Sequence, residues 1–167
     1  MAHDQVKPDT LNDVGVLKRR EIEARIVKPL LERLGEEFGQ ERVQELASEV
    51  VVEVAQGQGA ELAGHLGGND LQTFADSMEN WTKGGALELE IVEQSSDVFK
   101  FNVTRCRYAE MYRDLGMPEL GAHLSCDRDG TMVEGFNPDI EFTRTQTIMK
   151  GAIHCDFVYR LPAGDED

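Results

Sequence analysis

Apolar residues recur at every fourth position over Ile22, Ile26, Leu30 and Leu34, a spacing that marks one face of an α-helix. Pro29 interrupts this pattern and predicts a kink or two shorter helices, and Gly35 and Gly39 close the element. A second helix is expected next, with Val43, Leu46, Ala47, Val50, Val51 and Val54 on one side and Glu41, Glu45, Glu49 and Glu53 on the other. The stretch from Gly57 to Gly68 holds five glycines and reads as the most flexible internal segment, a linker or a mobile loop over a site. Asp70 then suits the N-cap of a third helix whose inward stripe is Leu71, Phe74, Ala75, Met78 and Trp81, ended by Gly84-Gly85.

From Leu87 the rhythm changes to alternation. Leu87, Leu89 and Ile91 alternate with Glu88 and Glu90; after Ser95-Ser96-Asp97, Phe99, Phe101 and Val103 alternate with Lys100, Asn102 and Thr104. This is a β-hairpin with one apolar face. A helix from about Cys106 to Leu115 and another from about Pro118 to Val133 follow, the second with proline suited to a first turn. Asn137-Pro138 breaks the chain before two more strands, one alternating Ile140, Phe142 and Arg144, the other Ile153, Cys155, Phe157 and Tyr159. The predicted class is α+β: a helical N-terminal half, then an antiparallel sheet of about four strands with two helices inserted between the hairpins. Residues 1–167 read as one domain, with loose tails at 1–12 and 162–167.

Charge narrows the partners. A net charge of −15 repels a phosphate backbone and argues against nucleic acid. The one basic run, Lys18-Arg19-Arg20, stands beside Glu21 and Glu23 and reads as a solvated helix face. No apolar run is long enough for a membrane span, and the N-terminus lacks the pattern of a signal peptide. Three cysteines without a secretion signal point to reduced thiols and a cytoplasmic protein. Small domains of this kind commonly form homodimers, which remains an open expectation.

The reactive residues concentrate late in the chain. All three cysteines, His123, His154 and many carboxylates fall within Arg105–Asp156. His154-Cys155-Asp156 is not a ready-made triad, because alternation along a strand sends Cys155 to one face and its neighbours to the other. A base for Cys155 must come from another element. His123 stands three residues before Cys126 and four before Asp127, so these share a helix face or adjacent faces, and Asp129 lies three beyond Cys126. Cys106 opens a helix, where the N-terminus would lower its thiol pKa. Each thiol also has a structural reading as a small buried hydrophobe. A zinc or iron site of Cys106, Cys126 and Cys155, with or without His123, is an alternative; however, separations of 20 and 29 residues match no zinc-finger spacing, so no cofactor is expected.

The stretch Arg105 to Tyr159 resembles the L-2-amino-thiazoline-4-carboxylic acid hydrolase family. The residues that carry the resemblance are Arg105-Cys106, Tyr108, Ala109, Tyr112, Leu115-Gly116, Pro118-Glu119-Leu120, Cys126, Asp129, Asn137-Pro138, Arg144, Thr145, Thr147, Gly151 and Cys155-Asp156-Phe157. The resemblance implies a small-molecule hydrolase acting on a non-peptide carbon–nitrogen bond, opening a cyclic amidine to a carbamoyl-cysteine. In these terms Cys155, or Cys126 after it, is the candidate nucleophile and His123 its base. Asp129 would orient the imidazole or hydrogen-bond the amidinium, and Arg144 would hold a substrate carboxylate. Tyr108 and Asn102 are further candidate substrate contacts. The competing readings are a ligand-binding or sensor domain without turnover, a metal-dependent hydrolase, and an assembly subunit that offers the hairpin's polar face to partners.

Overall fold

The computed structural model describes residues 14–162, so the expectations for 1–12 and 163–167 lie outside it. Helix α1 (Val16–Phe38) turns at Gly39, whose φ of 93° favours glycine, directly into α2 (Gln40–Leu66). Short helices α3 (Leu71–Asp76) and α4 (Glu79–Thr82) lead to strands β1 (Leu87–Gln94) and β2 (Val98–Cys106). Next come α5 (Arg107–Asp114), α6 (Pro118–Gly121), a π-helical turn at Ala122–Cys126 and α7 (Arg128–Phe136). Strands β3 (Glu141–Thr143) and β4 (Cys155–Arg160) complete a four-stranded antiparallel sheet of order β1-β2-β4-β3.

The sheet is as alternation predicts. Val103 pairs with Cys155, Phe101 with Phe157 and Phe99 with Tyr159 across β2 and β4. These side chains, with Leu71, Phe74, Val133, Phe136 and Ile140, make one core, and the Phe101 and Phe157 rings stack 4.9 Å apart. A second core joins Val16 and Ala24 of α1 to Tyr108, Ala109, Tyr112, Met117, Ala122 and Met149. Asp70 caps α3 as expected, accepting a 2.8 Å bond from the Thr73 amide.

Several expectations change. Pro29 lies inside one continuous α1, and Gly35 does not end it. The helix predicted over the Asp70–Trp81 region divides into α3 and α4, and the one predicted from Pro118 is broken by the π-turn. Ile153 precedes β4 and is exposed, and β3 ends at Thr143, so Arg144 is not a strand residue. The apolar stripe Ile22, Ile26 and Leu30 faces outward, as do Leu46, Val50 and Val54 of α2. The inward face of α1 belongs instead to Val16, Arg20, Ala24, Leu31 and Gly35. Arg20, expected in solvent, is only 8% exposed.

The glycine-rich stretch is not a loop but the last third of α2, ending at Gly67 in left-handed geometry. Gly59 lies against α7: a Cβ there would meet the Met132 carbonyl oxygen at 1.9 Å, and one at Gly135 would meet the Gln56 carbonyl oxygen at 1.9 Å. The two backbones therefore touch through reciprocal glycines. Gly59→Ala and Gly135→Ala should each cost about 1–3 kcal/mol in urea unfolding, the usual range for overpacking. Gly57 has open space around it and lies within the helix, so Gly57→Ala should stabilise by up to about 1 kcal/mol. Equal tolerance at all three positions would contradict the close crossing.

Candidate active site

A cavity of about 350 Å³ lies where the two cores meet. Its sheet wall is Val103, Cys155 and Phe157; α5 and its approach supply Cys106 and Tyr108, and α2 supplies Gln58, Leu62 and His65. The end of the π-turn and the start of α7 contribute Ser125, Cys126, Arg128 and Asp129, and Arg144 reaches in from the loop after β3. All three thiols line this one cavity.

Local structure aims each group. In the π-turn the Asp127 amide reaches back five residues to the Ala122 carbonyl at 3.0 Å, an uncommon geometry that recurs at functional sites. Tyr112 and Ser125 hydroxyls, 3.0 Å apart, tie this turn to α5. Cys106 is the N-cap of α5, its Sγ accepting from the Ala109 amide at 3.4 Å. Cys155 Sγ accepts from the Ile148 amide at 3.2 Å. The loop carrying Arg144 is stitched to β4 by the Asp156 carboxylate, which accepts from the Thr145 and Gln146 amides at 3.0 and 2.8 Å. Thr145 and Asp156, both among the family-like residues, thus hold the segment that aims Arg144.

One part-buried ion pair dominates the electrostatics. Arg144 donates to Asp129 and, at 3.1 Å, to the Cys126 carbonyl, with its guanidinium 5.4 Å from the Phe157 ring centre and 5.6 Å from that of Phe142. Desolvation pushes the Asp129 carboxyl up to about 6, against the pull of Arg144. Burial likewise raises the thiols. Cys106 is pushed up to about 11 despite its capping contact, which corrects the expectation of a depressed value there. Cys126 is raised further, and Cys155 is raised against the opposing effects of the Ile148 amide and Arg144. At neutral pH all three are thiols, not thiolates.

The structure brings together Cys155, Cys126, Asp129, Arg144 and Tyr108 of the expected site, along with Cys106. Tyr108 donates its hydroxyl to the Trp81 carbonyl at 3.2 Å. His123 stands elsewhere: its Nδ1 is 2.7 Å from Asp127, and it borders a groove with Gln44, Ser48 and Val52 of α2. It is outside the cavity, because three residues along this π-turn do not carry it to the face that Cys126 occupies. Asp129 orients Arg144, not an imidazole. Asn102 lies opposite Asp156 in the strand pairing, on the face of β2 away from Val103 and outside the cavity. His154 contacts Gln146 at 3.0 Å. Arg19, Arg20, Arg128, Gln58 and Ser125 also line the cavity but were not anticipated. Among the described residues no group of three or more His, Cys, Asp or Glu is arranged to hold a metal ion, and no helix is long and apolar enough to cross a membrane.

The profile of the L-2-amino-thiazoline-4-carboxylic acid hydrolase family matches residues 19–159, which include every cavity residue just described. The chain belongs to this family. No curated protein is similar enough to count as a match. Two solved structures share the fold at low identity. The phenol-responsive sensory domain of the transcription activator PoxR, solved with phenol, has a TM-score of 0.50 and 14% identity over 81% of this chain and 73% of its own. Trafficking protein particle complex subunit 3 from Naegleria fowleri, covalently bound to palmitic acid, has a TM-score of 0.51 and 10% identity over 87% and 96%.

Brief alkylation of the native family member with iodoacetamide should therefore be slow for every thiol at pH 7, with rate midpoints above the free value of about 8.5. A fast thiol with a midpoint below that would contradict the electrostatics. Asp129 also fixes the sign of a pH effect. Its raised folded value means the folded state holds a proton that the unfolded state releases between the ordinary carboxylate range and about 6. Wild-type stability relative to Asp129→Asn should thus fall as pH rises through that window. A relative stability that rises instead would show the carboxylate to be favourably solvated.

Proposed function

We propose that this chain is a small-molecule hydrolase whose cavity binds a cyclic amidine and opens it at a carbon–nitrogen bond. The observation that carries this reading is the convergence of three thiols with a carboxylate held near pKa 6 in one pocket. A carboxylate of that strength is mostly ionised at pH 7, yet basic enough to take a proton from a reacting thiol. Cys155 is the nucleophile in this proposal, because the Ile148 amide and the Arg144 charge both favour its thiolate over the thiol.

The steps balance without a further reagent. Cys155 Sγ attacks the amidine carbon as its proton passes to Asp129. Asp129 returns that proton to the ring nitrogen, which already carries one in the amidinium form of the substrate and so leaves as an amine while its bond to carbon breaks. Water then attacks the same carbon and displaces Sγ, giving a carbamoyl-cysteine and restoring the thiol. Arg144 holds Asp129 throughout and keeps it from rotating out of the site.

A second reading, ligand binding without turnover, is favoured by a specific observation. Burial holds all three cysteines protonated, and His123 and His154 stand outside the cavity. The shared fold with a phenol-responsive sensory domain supports it at the level of architecture.

Incubation with L-2-amino-thiazoline-4-carboxylate, followed by mass spectrometry for carbamoyl-cysteine, separates the two. The hydrolase reading expects turnover that rises with pH through about 6, falls at least about 100-fold in Cys155→Ser and in Asp129→Asn, and survives Cys106→Ser within a few-fold. Saturable binding with no product in any buffer would leave the second reading standing.

A further inference from the structure

The mechanism leaves three arginines of the cavity unused: Arg19 and Arg20 of α1 and Arg128 of α7. Arg144 is not among them, since its charge is answered by Asp129. Arg20 is nine-tenths buried, on the inward face of α1. Arg19 Nε is the one fully buried side-chain nitrogen or oxygen among the described residues that lacks a hydrogen-bond partner. Arg128 donates only to a neutral group, Gln58 Oε1. Burial and then the neighbouring Arg20 charge pull Arg128 down to about 10, against the pull of Glu23 and Asp129, so the two guanidiniums lie close enough to oppose each other. Tyr112 feels both charges as well.

Buried like charges destabilise a fold unless something answers them. Two carboxylates do so in part: Glu23, half exposed, pairs with Arg20, and Glu61 lines the same cavity. One positive charge is left over. That residue matches a monoanion, whereas a phosphate dianion would overcompensate it. Leu62, Leu87, Val103 and Met132 line the remainder, so the body of the molecule is apolar.

We infer that Arg19, Arg20 and Arg128 form an anion subsite that takes the carboxylate of a small, otherwise apolar ligand, while the Asp129 end faces the ligand's reactive carbon. The inference rests on the proposed occupancy of this cavity by a small molecule, but not on turnover. It assigns carboxylate recognition to α1 and α7 and removes it from Arg144, the residue the sequence had suggested for that role. Arg20 and Arg128 are then specificity-determining, and an amide in place of the carboxylate is rejected because it leaves their charges unanswered.

Titration calorimetry with an unreactive pair of probes tests this on the full chain. Thiazole-4-carboxylate has the anion, and thiazole-4-carboxamide has the same shape without it. Wild type should bind the carboxylate at least about 10-fold more tightly than the carboxamide, as expected when a charged hydrogen-bonding partner is lost. Arg20→Gln and Arg128→Gln should each reduce that preference to about 2-fold or less, and Arg128→Gln, which breaks no ion pair, should melt at or above the wild-type temperature in the absence of ligand, since a repulsion is removed. Arg20→Lys and Arg128→Lys, which keep the charge, should retain most of the preference and guard against a variant that fails to fold. Arg144→Gln should leave the preference intact. Equal binding of both probes to wild type, no binding of the carboxylate, or a preference that vanishes only in Arg144→Gln would each overturn the inference. A preference that behaves as expected in a protein without hydrolytic turnover would sustain the subsite and sink the hydrolase reading alone.

Discussion

Direct backbone contact between α2 and α7, made through Gly59 and Gly135, sets the geometry on which the rest of the molecule depends. Without side chains at the crossing, the helices approach until Cβ-sized space is gone. α7 is thereby pulled against the last third of α2, and its first turn, with Arg128 and Asp129, is carried to the cavity wall. The facing turns of α2 bring Gln58, Leu62 and His65 to the same cavity. The π-turn just before α7 is the companion distortion. It places Ser125 and Cys126 on the cavity side and leaves His123 on the other.

Inside the cavity, desolvation is the governing term. It raises three thiols and one carboxyl and lowers the Arg128 guanidinium, each toward its neutral form, whereas Asp129 holds Arg144 in its charged form. The Asp129–Arg144 pair survives because each partner answers the other and Arg144 also stacks near two phenylalanine rings. Such a pair adds little net stability, but it fixes the orientation of an acid–base group. Among the other cavity arginines, Arg20 pairs with the half-exposed Glu23, Arg128 donates to the neutral Gln58, and Arg19 Nε has no hydrogen-bond partner. A site that destabilises its own empty state in this way is typical of places where a fold has been shaped for a ligand and not for stability.

The sheet was legible in the sequence because a period of two leaves little freedom: Phe99, Phe101, Val103, Cys155, Phe157 and Tyr159 share the face that alternation assigns them. The same logic correctly separated Cys155 from His154 and Asp156. Periodicity misled on α1 and α2, where Ile22, Ile26, Leu30, Val50 and Val54 form regular stripes that the fold leaves outside. A hydrophobic stripe reports a helix but not which side faces the core once small residues such as Ala24, Ala55 and Gly59 permit closer packing. Glycines at 57–68 suggested flexibility, although one of them serves a close approach. Arg20 was hidden within Lys18-Arg19-Arg20, a run whose composition says solvent while its register says interior. Arg144 was placed by alternation, yet β3 stops one residue short of it and the loop turns it inward. Cys126, Asp129, Arg144 and Cys155, which the family likeness had singled out, line one cavity. Their pairing required three dimensions.

The most direct test of the whole account is a crystal structure of Cys155→Ser soaked with L-2-amino-thiazoline-4-carboxylate, in which the reaction is blocked and the ligand is caught. The account predicts the ring in the cavity between the two cores, its amidine carbon over residue 155, its amidine nitrogens on Asp129 and its carboxylate on Arg20 and Arg128. A ligand lying in the His123 groove, or one whose amidine points away from both residue 155 and Asp129, would contradict it.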